Sequence, residues 1–307
     1  MQESSQPVVV ELNNGVKMPQ VGLGTFKITS EAEKKSLRDA IMEVGYRHLD
    51  TATMYENEAV IGQVLQQCFA EGLKREDIFV TTKLLSCDYA DPLAAVNRSL
   101  ELLQLEYVDL YLVHFPIPFY DEKTKEFQKL PMHKLWASME QLYKAGKARA
   151  IGISNFNVQL TLDLLSYAEV VPAVNQIELH PYLPQVDAVN WFKKQGIVPV
   201  AYSPFARHGN APLGPDAKKD VLDHPLLEEL AAKYGKTPGQ VALNWGLARG
   251  HVVIPKSANK ARQTQNLACF SFKLEPAEVE KISALDIGYR FVDFQYLEMY
   301  GGVPIFV

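Results

Sequence analysis

The 307-residue sequence contains little cysteine, and its spacing suits neither a disulfide framework nor a metal site. The three cysteines, Cys68, Cys87 and Cys269, are widely separated and include no Cys-x-x-Cys pair. This pattern is typical of free thiols in a reducing compartment. The seven histidines show no His-Glu-x-x-His or other paired-ligand spacing, so we expect no catalytic metal.

The sequence also lacks a long hydrophobic run and an excess of basic residues. No stretch approaches the roughly 18 apolar residues of a membrane span, and the N-terminus, with an early glutamate, does not resemble a secretory signal. The formal net charge is −5, whereas a general nucleic-acid binder needs a basic surface. We therefore expect a cytoplasmic protein with neither a membrane nor a nucleic acid as partner.

What the sequence does contain is a repeated alternation of short apolar runs with longer amphipathic segments. Apolar residues at helical spacing include Leu93, Val96, Leu100 and Leu103. The runs between such segments are continuously apolar, as expected for parallel strands covered on both faces. The predicted strands are Gln20–Thr25, Tyr46–Asp50, Ile78–Lys83, Val108–His114, Ala148–Ser154, Ala173–Gln176, Ile197–Ser203 and His251–Lys256.

Eight strands, most of them followed by a helix, favour an α/β fold of the (β/α)8 TIM-barrel type over an open doubly wound sheet. The turn Asn13-Asn14-Gly15 predicts a β-hairpin between Val8–Leu12 and Val16–Met18, placed to plug the barrel floor. No Ser/Gly-rich or low-complexity linker divides the chain. We therefore interpret residues 1–307 as a single domain.

Polar residues end seven of the predicted strands, and in such barrels the active site lies at the C-terminal strand ends. One polar residue in such a place is often a helix cap, but seven in succession favour a shared site. These residues are Asp50, Lys83, His114, Ser154-Asn155, Gln176, Tyr202-Ser203 and Lys256-Ser257.

Four residues in this region have the chemistry of a proton donor and its supports. A phenol with an ordinary pKa of about 10 is a weak acid near neutrality. The ammonium of Lys83 is expected to lower the pKa of Tyr55, and Asp50 to keep that ammonium charged. Tyr55 is thus a candidate general acid and His114 a candidate donor to a substrate carbonyl. Taken separately, each of these residues also allows a structural interpretation: an Asp50–Lys83 ion pair, a packed tyrosine and a core histidine.

Long, ordered motifs connect these positions. They are GYRHLDTATMYENEAVIG (Gly45–Gly62), the strand ending in Lys83, LELLQLEYVDLYLVHFP (Leu100–Pro116), GISNF (Gly152–Phe156), NQIELHPYL (Asn175–Leu183) and IPKS with Arg262 and Asn266 downstream. In these motifs the chain resembles the aldo-keto reductase superfamily over almost its whole length, as an aldose or aldehyde reductase with some xylose reductase features. The resemblance implies hydride transfer from a reduced nicotinamide to an aldehyde or ketone. It also implies a catalytic tetrad of Asp50, Tyr55, Lys83 and His114, with Tyr55 as the proton donor.

No Rossmann fingerprint accompanies these motifs, because Lys27 occupies the third glycine position after Gly22-Leu23-Gly24. A dinucleotide site must then be spread over several strand ends. The segment His251–Leu274 carries lysines and Arg262 but no acid, which suits a solvated helix start or a clamp for a ribose 2′-phosphate. The resemblance assigns that phosphate to Lys256, Ser257 and Arg262, which favours NADPH over NADH.

The predicted cofactor site is correspondingly extended. By resemblance, Ser154, Asn155 and Gln176 hold the nicotinamide amide, and Tyr202 stacks against the ring. Gln265 stands where many relatives carry a glutamate, so we expect altered adenine contacts. The full cofactor set is Gly24, Thr25, Phe26, Asp50, Ser154, Asn155, Gln176, Tyr202, Ser203, Phe205, Lys256, Ser257, Ala258, Arg262, Gln265 and Asn266.

Substrate residues are predicted to be Phe26, Tyr55, His114 and Phe115. Phe26 and Phe115 are candidate pocket walls that replace tryptophans of animal aldose reductases, although rim packing is an alternative for both. Leu85 lies near another position where relatives place a tryptophan.

Two long segments are expected to govern specificity and closure. The Pro- and Gly-rich segment Tyr202–Asp223 is interpreted as a lid over the cofactor. The C-terminal tail Asp286–Val307 is interpreted as a substrate-specificity segment, and its ending VPIFV is similar to that of yeast xylose reductases, as is LVHFPI (Leu112–Ile117). The rest of the tail departs from that pattern, so a sugar substrate is only suggested.

The sequence thus predicts NADPH-dependent reduction of a small aldehyde or ketone to an alcohol by a monomer or weak dimer. Two alternatives remain open at this point. One is a low-turnover NADPH-binding barrel of the same family with a structural or sensing role. The other is an aldolase-like barrel in which Lys83 forms a Schiff base with the substrate.

Overall fold

The computed structural model describes residues 8–207, 220–292 and 301–306. Its strands are β1 (Val9–Glu11), β2 (Lys17–Pro19), β3 (Leu23–Gly24), β4 (His48–Asp50), β5 (Phe79–Leu84), β6 (Leu110–Val113), β7 (Tyr120–Asp121), β8 (Glu126–Phe127), β9 (Ile151–Ser154), β10 (Val174–Glu178), β11 (Val198–Tyr202), β12 (Pro204–Arg207) and β13 (Val252–Val253). Its α-helices are α1 (Glu31–Asp39), α2 (Glu58–Ala70), α3 (Pro92–Leu103), α4 (Met132–Lys144), α5 (Val158–Leu165), α6 (Val186–Lys194), α7 (Pro225–Tyr234), α8 (Pro238–Ala248), α9 (Lys260–Leu267) and α10 (Pro276–Ser283).

Eight of the strands form one parallel sheet in the order β3-β4-β5-β6-β9-β10-β11-β13. The sheet closes on itself through a parallel bridge between Val21 and Val253. Two backbone bonds support that closure, from Gly22 N to Val253 O at 2.9 Å and from Gly24 N to Pro255 O at 3.1 Å. At least one helix follows each of these strands, so the predicted (β/α)8 barrel is confirmed.

Each of the eight predicted runs overlaps one barrel strand, but most strands are shorter than predicted. The clearest case is Gln20–Thr25, of which only Leu23–Gly24 forms a strand. Apolar composition marks the whole buried run, whereas the ladder extends only where the neighbouring strands lie in register. Strand existence was therefore easier to predict than strand length.

The predicted N-terminal hairpin is present, with Val10 paired to Met18 between β1 and β2. Its turn reaches the loops that precede two barrel strands, because Asn13 Nδ2 donates to Pro172 O at 3.1 Å and Asn14 Nδ2 to Arg149 O at 2.9 Å. Leu12 and Met18 are buried with the apolar residues inside the barrel. The hairpin therefore closes the floor, at the N-terminal strand ends.

Alternation along the strands decides which side chains enter the barrel. On β6, Leu110 and Leu112 belong to the inner cluster, whereas Tyr111 and Val113 pack outward against the helices. The same period of two residues turns the polar ends of β4, β5 and β10 toward one interior site.

The predicted apolar face of α3 needs one correction. Val96, Leu100 and Leu103 are buried, but Leu93 is 44% exposed. The buried stripe also includes Ala95, so its centre is shifted away from Leu93. At about 100° per residue, Leu93 lies roughly 90° from that centre.

Three other predictions from the sequence concern membrane spans, the cysteines and the two long segments. No helix in the described ranges is long and apolar enough to span a membrane. The thiols of Cys68, Cys87 and Cys269 are all free. The predicted lid (Tyr202–Asp223) and the predicted tail (Asp286–Val307) include residues 208–219, 293–300 and 307, which lie outside the described residues.

Candidate active site

Strand ends bring Asp50, Lys83 and His114 together at the C-terminal mouth of the barrel. Asp50 is the last residue of β4, Lys83 lies near the end of β5, and His114 directly follows β6. Tyr55 ends a short 3-10 turn, Thr53–Tyr55, that follows β4. The four residues of the predicted tetrad therefore lie at or just after the C-terminal ends of three consecutive strands of the sheet.

Lys83 and Asp50 form a buried ion pair. Lys83 Nζ donates to Asp50 Oδ1 at 2.6 Å and to the carbonyl oxygen of Thr51 at 2.8 Å, and both side chains are almost wholly inaccessible. Burial lowers the pKa of Lys83, but the attraction of Asp50 and Tyr55 and their hydrogen bonds outweigh it, so the net shift is upward. The ammonium is therefore held in its charged form.

Tyr55 lies among the other members of the predicted tetrad. The Lys83 ammonium is 5.1 Å from the centre of its ring, and the His114 ring centroid is 6.1 Å away. Burial raises the pKa of Tyr55 more than Lys83 lowers it, and Asp50 adds to the rise. The expected direction was wrong, because desolvation of a phenolate outweighs one nearby ammonium that is already paired. Tyr55 is therefore protonated throughout the neutral range.

His114 is uncharged in this setting. It is buried, and its burial together with the Lys83 charge holds its pKa well below 6.5. Its ring is stacked on Phe115, with centroids 4.0 Å apart and an interplanar angle of 11°. A neutral imidazole carries one N–H group, so His114 can donate a hydrogen bond without placing a second cation beside Lys83.

A chain of hydrogen bonds joins the predicted nicotinamide residues to the ion pair. Tyr202 OH donates to Asn155 Oδ1 at 2.8 Å, and Asn155 Nδ2 donates to the His114 carbonyl at 2.9 Å and to Ser154 Oγ at 3.1 Å. Ser154 Oγ donates to the Gln176 carbonyl at 2.8 Å. Asn155 has a φ of 64°, a left-handed conformation that asparagine tolerates better than most residues. These side chains thus form one preorganised surface.

Gln176 completes this chain by donating its amide nitrogen to Asp50 Oδ2 at 2.7 Å. Its amide oxygen accepts no hydrogen bond from the residues that the structure describes. That oxygen is suited to an amide N–H donor such as a carboxamide.

The predicted phosphate residues lie where the chain leaves β13 and enters α9. Lys256 and Arg262 are exposed, and within the described ranges no carboxylate lies within 4 Å of either charged group. Lys260, by contrast, forms an ion pair with Glu43. The N-terminal end of α9 faces the same region, with Asn259 as its cap. Two available cations and a helix N-terminus are the usual elements of an anion site.

The remaining predicted cofactor residues divide into packed and accessible positions. Gly24 is closely packed, because a Cβ there would lie 3.1 Å from the Ile254 carbonyl oxygen, which is tighter than an ordinary contact. Thr25 is buried and donates its hydroxyl to the Asp50 carbonyl at 2.9 Å.

Ser203 has a φ of 47°, which is rare for a residue with a side chain and is common near functional sites. Phe205 is partly buried, Gln265 is exposed and Asn266 is buried. Ala258 is partly buried, and its carbonyl accepts from Ser36 Oγ at 2.8 Å.

A second layer of residues behind the predicted tetrad was not predicted from the sequence. Asn57 Nδ2 donates to the carbonyl oxygens of Thr25 and Ile28 at 2.8 and 3.3 Å. Glu58 accepts from Thr82 Oγ1 at 2.6 Å, and burial raises the pKa of its carboxyl group. Both residues lie in the quoted motif that contains Tyr55, but only their three-dimensional contacts show that they support the loop carrying it.

A second missed pair, Glu178 and His180, lies just beyond Gln176 in the motif NQIELHPYL. Both are fully buried, and His180 Nε2 lies 2.9 Å from Glu178 Oε1. The carboxylate also accepts backbone N–H bonds from Phe291 and Val292. An acidic residue two positions after Gln176, at the end of an apolar run, was the available sequence signal.

The predicted substrate walls are in different environments. Phe26 is 48% exposed, and its ring centroid lies 5.0 Å from that of Tyr55. Phe115 is buried and belongs to an apolar cluster with Leu85 and the tail residue Phe306. A cavity of about 430 Å³ begins beside this cluster, lined by Leu85, Ser86, Cys87, Phe119, Tyr120, Asp121, Glu122 and Lys123.

Comparisons with known proteins agree on one relationship. The model of the aldo/keto reductase family matches residues 20–287. A probable NAD(P)H-dependent D-xylose reductase of Aspergillus clavatus is 41% identical, covering 92% of this chain and 92% of that protein. An NADP-dependent D-sorbitol-6-phosphate dehydrogenase of Malus domestica is 37% identical, covering 92% and 94%. The crystal structure of a Bombyx mori aldo-keto reductase in complex with NADP has a TM-score of 0.89 and 35% identity, covering 98% and 100%.

Proposed function

This chain belongs to the aldo/keto reductase family, and from that premise we propose that it reduces an aldehyde or ketone with NADPH, using Tyr55 as the proton donor. It is an oxidoreductase. The comparisons also support NADP as the cofactor, because the Malus relative is named NADP-dependent and the Bombyx structure contains NADP. We also propose that residues 1–307 act as one catalytic domain.

The observation that carries the proposal is the buried Lys83–Asp50 pair beside Tyr55. When bound, NADPH supplies the hydride to the carbonyl carbon. Tyr55 donates its hydroxyl proton to the carbonyl oxygen, and Lys83 stabilises the phenolate that remains. His114, kept neutral by burial, donates an N–H bond to the same oxygen and orients the carbonyl. Asp50 holds the ammonium in place through its bond of 2.6 Å.

The residues at the mouth fit NADPH at both of its ends. Lys256 and Arg262, with the start of α9, suit the 2′-phosphate, since arginine binds phosphate through two parallel N–H bonds. The free amide oxygen of Gln176 and the ordered hydroxyl of Ser154 suit the nicotinamide carboxamide. Tyr202 is placed on the same surface, and its ring provides the stacking face.

The substrate is proposed to be a small carbonyl compound with an apolar substituent. The described walls near Tyr55 and His114 are mainly apolar, and they include Phe26, Phe115 and Phe306. A hydroxylated sugar finds few hydrogen-bond partners on such walls, whereas an aromatic or aliphatic aldehyde buries surface there. A panel of xylose, glyceraldehyde, benzaldehyde and a long-chain aldehyde, assayed with both nicotinamide cofactors, tests this preference.

Schiff-base chemistry at Lys83 is not favoured by the geometry. A nucleophilic amine must be neutral, but Lys83 is bonded to a carboxylate and its pKa is raised. Borohydride trapping with a keto substrate is expected to leave the protein unmodified.

The direct test of the proposed function is Tyr55→Phe. Positioned proton transfer contributes about 10²–10⁴-fold to rate, so kcat should fall by that order while the NADPH dissociation constant, measured by fluorescence quenching, stays unchanged. Tyr111→Phe is the matched control, because Tyr111 is buried on β6 and its hydroxyl has no partner among the described residues. Retained turnover in Tyr55→Phe refutes the assignment. NADPH binding by the wild type without turnover of any carbonyl favours the sensing or structural alternative.

A further inference from the structure

The described part of the C-terminal tail is bonded to the barrel at two places. The Tyr182 carbonyl accepts the N–H groups of Ile287 and Tyr289, and a buried carboxylate binds residues 291 and 292. Glu178, the last residue of β10, accepts the Phe291 N–H at Oε1 (2.8 Å) and the Val292 N–H at Oε2 (2.9 Å). His180 Nε2 lies 2.9 Å from Oε1, and because a carboxylate only accepts, this ring nitrogen carries the proton. Glu178 therefore accepts three bonds while being fully buried.

The anchored residues continue into the wall beside the catalytic histidine. Val292 packs with Ile305 and Phe306 on the cluster that contains Phe115. The Phe115 ring is in turn stacked on His114 at 4.0 Å. Two successive contacts thus connect the anchor point to a residue that would touch the substrate.

The two described parts of the tail are also held to one another. The guanidinium carbon of Arg290 lies 3.7 Å from the centre of the Phe306 ring. Phe291 contacts the His180 ring edge-on, with centroids 5.5 Å apart. Fixing residues 291 and 292 therefore also restricts the position of the chain end that covers Phe115.

We infer that Glu178 is a positioning residue, which fixes residues 291 and 292 so that the apolar side chains of Val292, Ile305 and Phe306 form the substrate wall at the correct distance from His114. The inference rests on the proposed function. Its geometric basis is strand alternation on β10, where Gln176 holds Asp50 and, two residues later, Glu178 holds the tail. One face of one strand thereby sets both the catalytic pair and the wall.

The use of a charged group here has a physical reason. The two consecutive backbone N–H groups are partly buried and both find an acceptor in Glu178, whereas an apolar side chain would offer none. A carboxylate offers two oxygens and binds backbone rather than side chains. These two bonds do not depend on which side chains residues 291 and 292 carry, so this part of the attachment would survive a change in the composition of the wall.

The test compares Glu178→Ala and Glu178→Gln with wild-type enzyme in the presence of NADPH. Loss of bonds to a buried carboxylate should raise KM for a long-chain aldehyde about tenfold in Glu178→Ala. KM for glyceraldehyde, which is too small to reach the tail, and the NADPH dissociation constant should change less than about twofold. Glu178→Gln should be intermediate, because its single oxygen replaces part of the acceptor set and its NH2 group faces an N–H donor.

A matched control is available on α4. Glu140 is also buried, and its Oε1 accepts the backbone N–H groups of Glu169 and Val170 at 2.8 and 2.9 Å. Glu140→Ala therefore removes a comparable pair of bonds outside the barrel. It should lower the melting temperature similarly and leave both KM values unchanged.

Amide hydrogen exchange provides a readout that does not depend on turnover. Exchange in residues 291–292 and 301–306 should accelerate in Glu178→Ala and not in Glu140→Ala. Unchanged exchange there, or an equal rise in KM for both aldehydes, would overturn the inference. If the wild type reduces no carbonyl at all, the proposed function fails, while the exchange comparison still decides whether Glu178 anchors the tail.

Discussion

Gln176 donates its side-chain amide to Asp50 across 2.7 Å, although the two residues are 126 positions apart in the sequence. The other oxygen of the same carboxylate accepts the Lys83 ammonium at 2.6 Å. A residue predicted to hold the nicotinamide thus also bonds to a member of the predicted tetrad. On the proposed function, this carboxylate would couple the placement of the cofactor to the position of the Lys83 ammonium beside Tyr55.

Gln176→Leu should consequently impair more than cofactor binding. Loss of the bond to Asp50 frees that carboxylate to rotate away from Lys83, so kcat should fall about tenfold in addition to weaker NADPH binding. Steady-state kinetics at saturating NADPH separate the two effects. Asn175→Leu on the same strand is the control, because Asn175 bonds to the Phe156 carbonyl at 2.8 Å instead. A Gln176→Leu enzyme with wild-type kcat would show that the coupling has no catalytic consequence.

This coupling illustrates what could and could not be predicted from the sequence. Polar residues ending apolar runs placed Asp50, Lys83 and Gln176 at one mouth, because parallel strands present their C-terminal ends together. Which of them bond to each other depends on barrel closure and strand register. The direction of the Tyr55 pKa shift was predicted wrongly, since the extent of burial has no sequence signature. The contact of Glu178 with the tail was missed because Phe291 and Val292 lie more than 100 residues away in the sequence.

Arg262→Ala should discriminate between the two nicotinamide cofactors. If Arg262 binds the 2′-phosphate, its removal should raise KM for NADPH about 10- to 100-fold and KM for NADH only about twofold. Lys260→Ala is the matched control on the same helix, because its ammonium is already paired with Glu43. An equal change with both cofactors contradicts the 2′-phosphate assignment.

The pH profile of carbonyl reduction should be flat from about pH 6.5 to about pH 9. Burial raises the pKa of Tyr55 above 10, and the pKa of Lys83 is raised above 10.5. The pKa of His114 is held well below 6.5. None of these groups then titrates within the range. Measured kcat/KM at saturating NADPH, with the melting temperature recorded at each pH, checks this. A fall centred near pH 8 would mean that Lys83 dominates the Tyr55 pKa after all.

A buried histidine outside the site should limit stability in acid. His251 is fully buried before β13, and neither ring nitrogen has a partner among the described residues. Burial holds its pKa well below 6.5. Below about pH 6.5 the unfolded chain binds a proton that the folded chain does not, so folding stability is present at neutral pH and is lost as the pH falls.

His251→Phe should therefore stabilise the protein and weaken its acid sensitivity. A phenylalanine can keep the ring contact with Trp245, which is 6.0 Å between centroids, and it removes two unsatisfied nitrogens. The free energy of unfolding should therefore rise by about 1 kcal/mol, and the melting temperature by about 2 °C. His48→Phe is the opposing control, because both ring nitrogens of His48 have a partner. Nδ1 lies 3.2 Å from the Pro19 carbonyl oxygen, and Nε2 lies 3.2 Å from the Thr81 hydroxyl oxygen. This substitution should destabilise the protein. Melting temperatures of wild type and His251→Phe between about pH 5 and about pH 7.5 test this prediction. If the increase in melting temperature of His251→Phe does not grow toward low pH, the titration argument is contradicted.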